Sequence, residues 1–163
     1  MDRSPGRLGP VPFPMPSGAP RHAKAAYLLA RVGRTQSVRF AERVQSIGLR
    51  PKHFAVLNAI SLADGASQQE IGGRMGLDPS GLVGAIDELE RMGLVERRRD
   101  PADRRRYVLG LSDEGTATLR RGRRVVAESA RELLAALDDD EVDTLVDLLA
   151  RVAAGEGAGS PGF

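Results

Sequence analysis

A mainly α fold with one small β-hairpin is what this 163-residue chain predicts, and three observations predict it. Apolar residues recur at spacings of three and four along most of the chain, the signature of helices with one buried face. Glycine, proline and Ser/Asp capping residues cut that pattern into separate segments. Between Leu94 and Leu111 alone the apolar period drops to two, on either side of a turn rich in Asp and Pro. Composition sets bounds around this. Hydrophobic residues make up 41% and charged residues 28%, ordinary usage for a soluble domain. No window approaches the roughly 18 uninterrupted apolar residues of a membrane span, so no membrane partner is expected. Cysteine is absent, which excludes disulfides, thiolate zinc sites and cysteine nucleophiles. With only His22 and His53, a histidine-rich metal centre is not expected either, and no cofactor is indicated.

Each element follows in order. Residues 1–20 (MDRSPGRLGPVPFPMPSGAP) are too rich in Pro and Gly for helix or strand, and a disordered arm without the apolar run of a secretory signal is expected. From about Ala23 to Ile47, the residues Leu28, Leu29, Val32, Gln36, Phe40, Val44 and Ile47 recur at helical spacing among Arg31, Arg34, Arg39 and Arg43. That is one long amphipathic helix, ended near Gly48. Pro51 opens the next, with Phe54, Leu57 and Ile60 as its stripe, and Asp64-Gly65 breaks it. Ser67-Gln68-Gln69-Glu70 is a capping box, in which hydroxyl and carboxylate reciprocally satisfy free amides at a helix start. The short helix behind it has Ile71 and Met75 one turn apart, and Gly76 closes it. Leu77 is expected as a buried turn residue. Asp78 as N-cap and Pro79 at the first helical position then start another helix. Leu82, Val83, Ile86, Leu89 and Met92 form its expected inward stripe, and Gly93 ends it. Two helices joined by so short a turn make a helix-turn-helix.

After Gly93, Leu94–Arg97 and Arg106–Leu111 read as strands around the turn Arg98–Arg105. A hairpin directly after a helix-turn-helix is a winged helix. Ser112 caps a helix expected to run to about Leu137, with Asp113 and Glu114 suiting its dipole and Leu119, Val126, Leu133 and Leu137 inward. Asp138–Glu141 is a second capping box. The last helix carries Val142, Leu145, Val146, Leu149 and Val152 on one face before a Gly/Ser/Pro tail.

The charge pattern carries the functional signal. Net charge is only +2, but of 24 basic residues just Lys24 and Lys52 are lysine. Arginine's planar fork suits phosphates and guanine edges, although codon bias accounts for much of the total. Position is more telling. Residues 91–106 hold seven arginines against Glu96, Asp100 and Asp103, a local net of +4. Arginines gathered on a hairpin beside a helix-turn-helix are the electrostatic footprint of a DNA binder. On the recognition helix the outward positions are Ser80, Gly81, Gly84, Asp87, Glu88 and Arg91. Two accounts of its glycines stand, close backbone approach to DNA or drift on a helix held by its packed face. Asp87 and Arg91, four apart, are placed to pair.

The run Asp103-x-Arg105-x-x-x-Leu109-x-Leu111-Ser112 resembles the wing signature of the MarR family of bacterial transcription regulators, with Ser where Thr is usual. Leu89-Glu-Arg-Met-Gly-Leu-Val-Glu-Arg97 is similar to that family's join between recognition helix and wing, and the element order over roughly residues 24–153 agrees. The resemblance implies a winged helix-turn-helix with long N- and C-terminal dimerisation helices. Residues 21–50 and 112–154 would form the dimer, 51–111 would bind DNA, and 1–20 and 155–163 would be disordered. It further implies that Asp103 pairs with an arginine to shape the wing and that Arg105 touches DNA.

The expected function is therefore a cytoplasmic homodimeric regulator, a repressor of a palindromic operator, with double-stranded DNA and a second copy of itself as partners. Pro79, Ser80, Gly81, Val83, Gly84 and Arg91 on the recognition helix, with Arg98, Arg104, Arg105 and Arg106 at the wing, are the expected DNA contacts. Relief by a small, aromatic or anionic effector is implied, with Tyr27, Arg31, Arg34, His53 and Phe54 as lining residues. Tyr27 and Phe54 serve equally as core, and His53 as a hydrogen-bonder at the helix start or between helices. Two alternatives stay open: an architectural DNA-binding protein of low sequence specificity, which the side-chain-poor recognition helix allows, and a winged helix used as a protein-interaction module. An enzyme is not expected, since no phosphate-cradling Gly loop, metal-ligand cluster or Ser/His/Asp arrangement is present.

Overall fold

A computed structural model describes residues 18–63, 65–75, 79–100, 103 and 105–157, with the backbone alone at 74, 75, 79, 80, 156 and 157. The elements run α1 (Arg21–Gln45), α2 (Pro51–Leu62), α3 (Gln68–Met75), α4 (Pro79–Arg91), β1 (Val95–Arg99), β2 (Tyr107–Leu111), α5 (Asp113–Leu133) and α6 (Asp139–Gly157). This is the expected mainly α chain with a two-stranded antiparallel hairpin. Expectations placed on residues 1–17, Asp64, Gly76, Leu77, Asp78, Arg104 and the tail from 158, and on the side chains of Met75, Pro79 and Ser80, lie outside the described residues. Among the described residues no helix is long and apolar enough to cross a membrane.

The core gathers one or more apolar side chains from nearly every element: Val44 and Leu49, Val56, Leu57 and Ile60, Ile71, Leu82, Ile86 and Leu89, Leu94, Val95 and Leu109, and Leu119. Each fully buried side chain of this size contributes about 1.5–3 kcal/mol. This packing sits under α4 and the hairpin strands and leaves α4's outer face to solvent.

Local chemistry sets the joints. At the end of α4, Gly93 takes φ +70°, which only glycine adopts without strain. Its N–H then donates to Glu90 O at 2.8 Å and that of Leu94 to Leu89 O at 2.9 Å, so the chain leaves the helix straight into β1. The strands pair from Val95↔Leu111 to Arg99↔Tyr107. Strand alternation therefore puts Val95, Arg97 and Arg99 on one face, with Glu96 and Arg98 on the other. Ser112 ends the hairpin and caps α5, accepting from Gly115 N–H at 2.9 Å while its own hydroxyl donates to Gly93 O at 2.6 Å. A Cβ on Gly115 would fall 1.9 Å from Leu94 O, so α5 lies backbone to backbone on the α4–β1 join.

Four expectations are corrected. Val83 and Met92 are 38% and 42% exposed rather than inward. At about 100° per residue, Val83 falls outside the arc occupied by Leu82, Ala85, Ile86 and Leu89. Arg98 and Arg99 lie in β1 rather than in the turn, because Asp100 N–H donates to Arg106 O at 3.0 Å and prolongs the pairing. Helix α5 stops at Leu133, short of Leu137, since Asp138 must leave the helix to cap α6. It does so by accepting from Glu141 N–H at 2.9 Å, while Asp138 N–H donates to Glu141 at 3.1 Å. Leu137 is accordingly 37% exposed rather than inward.

The two long terminal elements are the least covered. Leu28, Leu29, Val32 and Val38 of α1 are 43–47% exposed, and Val146, Leu148, Leu149 and Val152 of α6 are 40–57% exposed.

Candidate nucleic-acid interface

Helix α3 begins at the capping box read from the sequence. Ser67 N–H donates to Glu70 Oε2 at 2.7 Å, and Glu70 N–H to Ser67 Oγ at 3.3 Å. The bonds from Ser67, with Arg106 nearby, hold the Glu70 carboxyl below the usual carboxylate range. The helix that follows the turn, α4, places Val83 and Gly84 on an exposed face, while Gly81 is half-buried. An added Cβ at Gly84 would meet nothing within 4 Å, so open space faces this glycine. Pro79 and Ser80 occupy the first turn of the same helix.

The wing loop is shaped by main-chain bonds. Asp103 accepts from Arg105 N–H through Oδ1 at 3.0 Å, and its carbonyl accepts from Arg106 N–H at 2.9 Å. The resemblance implied that Asp103 pairs with an arginine side chain; among the described residues its carboxylate bonds instead to the backbone N–H of Arg105.

The arginines of this region divide by partner. Arg97 reaches from β1 to Glu90 and, at 2.8 Å, to Asp87 on α4. Arg98 pairs with Glu96 at 2.8 Å, and Arg106 with Glu70 of α3 at 3.2 Å. Arg99 lies over the Tyr107 ring, 5.4 Å from its centroid. Arg91 and Arg105 are exposed, and neither is bonded to a carboxylate among the described residues. The pairing of Asp87 with Arg91 is thus replaced by one with Arg97. Glu88, the third acid of α4, turns the other way, accepting from Arg50 at 3.1 Å and lying 2.7 Å from His53 Nε2. His53 Nδ1 accepts from Arg50 N–H at 3.4 Å, which leaves the proton on Nε2 to be donated to Glu88. That bond holds the Glu88 carboxyl below its ordinary range.

The five residues expected around an effector do not converge within one chain. His53 is 5% exposed with both ring nitrogens engaged. Phe54 stacks edge-on against Phe40 at 5.6 Å and lies against Gly122. Tyr27, Arg31 and Arg34 lie on the projecting half of α1, Tyr27 roughly 20 Å along the axis from Phe40. A feature without any sequence signal lies elsewhere. Arg123 of α5 donates to Asn58 Oδ1 at 2.8 Å and to Ser61 Oγ at 3.1 Å of α2. It borders a groove of about 380 Å³ floored by Ile60, Leu109, Leu111 and Leu119, with Arg120 alongside. Residues so distant in the chain form no motif, so periodicity could not find them.

Comparison with known proteins places this geometry. A model of the MarR family matches residues 47–106. A protein of Thauera aromatica assigned as transcriptional regulator for the hcr operon is 34% identical over 105 residues, and the chain spans 63% of that relative's length. CouR from Rhodococcus jostii RHA1, solved bound to p-coumaroyl-CoA, superimposes with a TM-score of 0.68 at 33% identity, over 84% of this chain and 96% of that one. The repressor CouR bound to a 23-mer DNA duplex gives a TM-score of 0.68 at 35% identity, over 78% of this chain and 91% of that one. These relatives are transcriptional regulators rather than enzymes. With the helix-turn-helix, the arginine-bearing wing and the long flanking helices in one order, the chain belongs to the MarR family of transcriptional regulators.

Proposed function

We propose that this chain is a homodimeric repressor that holds a near-palindromic operator through α4 and the wing and releases it when a small anionic ligand binds. The observation that carries DNA contact is the exposed face of α4 together with the exposed Arg105 of the hairpin turn, to which no carboxylate is bonded among the described residues. An unneutralised arginine there displaces counterions from phosphate and fits a narrow minor groove. Pro79, Ser80, Gly81, Val83, Gly84 and Arg91 face the major groove, and Arg98, Arg104, Arg105 and Arg106 serve the backbone and minor groove. Residues 51–111 act as the DNA-binding unit, and 21–50 with 112–154 as the dimerisation unit. The uncovered apolar rows of α1 and α6 support the dimer, since exposed patches of that kind mark protein interfaces. A two-fold dimer then reads two half-sites about one helical turn apart.

Ligand control is supported by CouR, solved bound to an aromatic acyl-CoA. Tyr27, Arg31 and Arg34 from one chain would meet His53 and Phe54 of the other only through dimerisation. The test is fluorescence anisotropy over a salt series, using a duplex selected by the purified protein from a randomised pool and a scrambled duplex. Preference for the selected duplex by on the order of a thousandfold supports a specific regulator. Equal affinity for both favours an architectural protein, and absence of any salt-dependent binding leaves the protein-interaction module.

A further inference from the structure

The acids of α4 pose an electrostatic question. A helix laid against phosphates carries Asp87, Glu88 and Glu90 within one turn, each of which repels DNA if left bare. In this chain all three are bound to cations from neighbouring elements. Glu88 is held by the guanidinium of Arg50, which precedes α2, with the neutral His53 ring of α2 also donating to it, and both Asp87 and Glu90 by the single guanidinium of Arg97. Strand alternation explains why Arg97 is the one that reaches them. It lies on the same face of β1 as Val95, which is 3% exposed, and directly opposite Leu109, also 3% exposed. Arg97 therefore continues the core-facing row where that row runs out under the last turns of α4, and its side chain is 34% exposed. Asp87 and Glu90 are three apart, adjacent on one helical face, so a planar fork can engage both at once.

We propose that Arg97 is a positioning residue for DNA reading: it clamps the recognition helix α4 to the wing strand β1 and so sets the angle between the two DNA-contacting surfaces, while making no phosphate contact itself. The inference rests on the reading of α4 and the wing as a DNA-binding surface. It predicts that Arg97 governs discrimination between sequences, because base edges are read only in one register whereas phosphates are met in many.

The test compares the full-length wild type with Arg97→Ala, Arg97→Lys and an Asp87→Asn/Glu90→Gln double variant. Each is titrated by anisotropy over a salt series against the wild-type-selected duplex and a random duplex. Removing Arg97 takes away a positive charge, and neutralising the acids adds two, so a purely electrostatic role drives affinity in opposite directions. A positioning role lowers the selected-to-random ratio in both. The expected result is a fall in that ratio of about tenfold for Arg97→Ala and for the double variant, with the salt slope of Arg97→Ala unchanged. Arg97→Lys, which keeps one carboxylate partner, falls between them and wild type and covers the case in which the alanine variant does not fold. An unchanged ratio, with the slope of Arg97→Ala reduced by about one and the double variant tighter on both duplexes, makes Arg97 a phosphate contact and overturns the clamp. A wild type that shows no salt-dependent affinity for any duplex overturns the DNA reading itself.

Discussion

Arg105 and Gly115 show how differently single residues serve this chain. Arg105 spends its backbone N–H on Asp103 and keeps its side chain for a partner. Its replacement by alanine is expected to weaken binding to all duplexes alike and to lower the slope of log affinity against log salt by about one, read by anisotropy. Gly115 has no chemistry of its own, yet a methyl group there collides with the Leu94 carbonyl. Gly115→Ala is expected to cost on the order of 3 kcal/mol in urea unfolding, because neither backbone can yield. Gly122→Ala is expected to cost less. Its new methyl meets the Phe54 ring at 2.8 Å, and a half-buried side chain can move. Neither contrast is visible in sequence. A glycine in a helix pattern reads the same whether a backbone, a ring or nothing faces it.

At the scale of elements, legibility followed the range of the interaction. Both capping boxes were readable because their bonds close within four residues, and they are present as drawn at Ser67/Glu70 and Asp138/Glu141. The hairpin was readable from its period, although β1 ends two residues later than expected and each strand starts one residue later. The destination of Asp87 was not, since helical spacing offered Arg91 while the fold supplied Arg97 from another element. The candidate DNA-contacting residues could be named from the motif, but which arginines are already engaged could not. Ser67→Ala is expected to destabilise the fold by about 1 kcal/mol in thermal or denaturant unfolding. The two depressed carboxyls, Glu70 and Glu88, give a pH dependence of defined sign. A carboxyl whose folded value lies below its unfolded one stabilises the fold above the unfolded value, and loses that contribution as pH falls through the folded one. Stability should therefore decline as pH drops below about 4. A Glu70→Gln/Glu88→Gln variant should be less stable near neutrality and show a shallower acid limb in melting curves between about pH 5 and 2.

For the whole molecule, one chain leaves its terminal helices α1 and α6 with uncovered apolar rows, which sequence periodicity announced without saying what covers them. In the proposed dimer a second copy does. Sedimentation or light scattering is expected to give twice the chain mass of 17.4 kDa, with a melting temperature that rises with protein concentration. A Leu29→Glu/Val152→Glu variant is expected to shift toward monomer and to lose operator affinity by at least a hundredfold while keeping weak binding to random DNA, since each half then binds alone.

The carbonyl of Leu94 accepts the N–H of Ser112 at 3.2 Å and bears directly on Gly115, so the foot of the wing and the foot of α5 are welded at one point. The proposed dimer then works as a pair of callipers. Its jaws are the wings, its arms the long helices, and jaw meets arm at that one backbone contact. Any molecule that alters the angle between the arms resets the gap between the jaws without touching them.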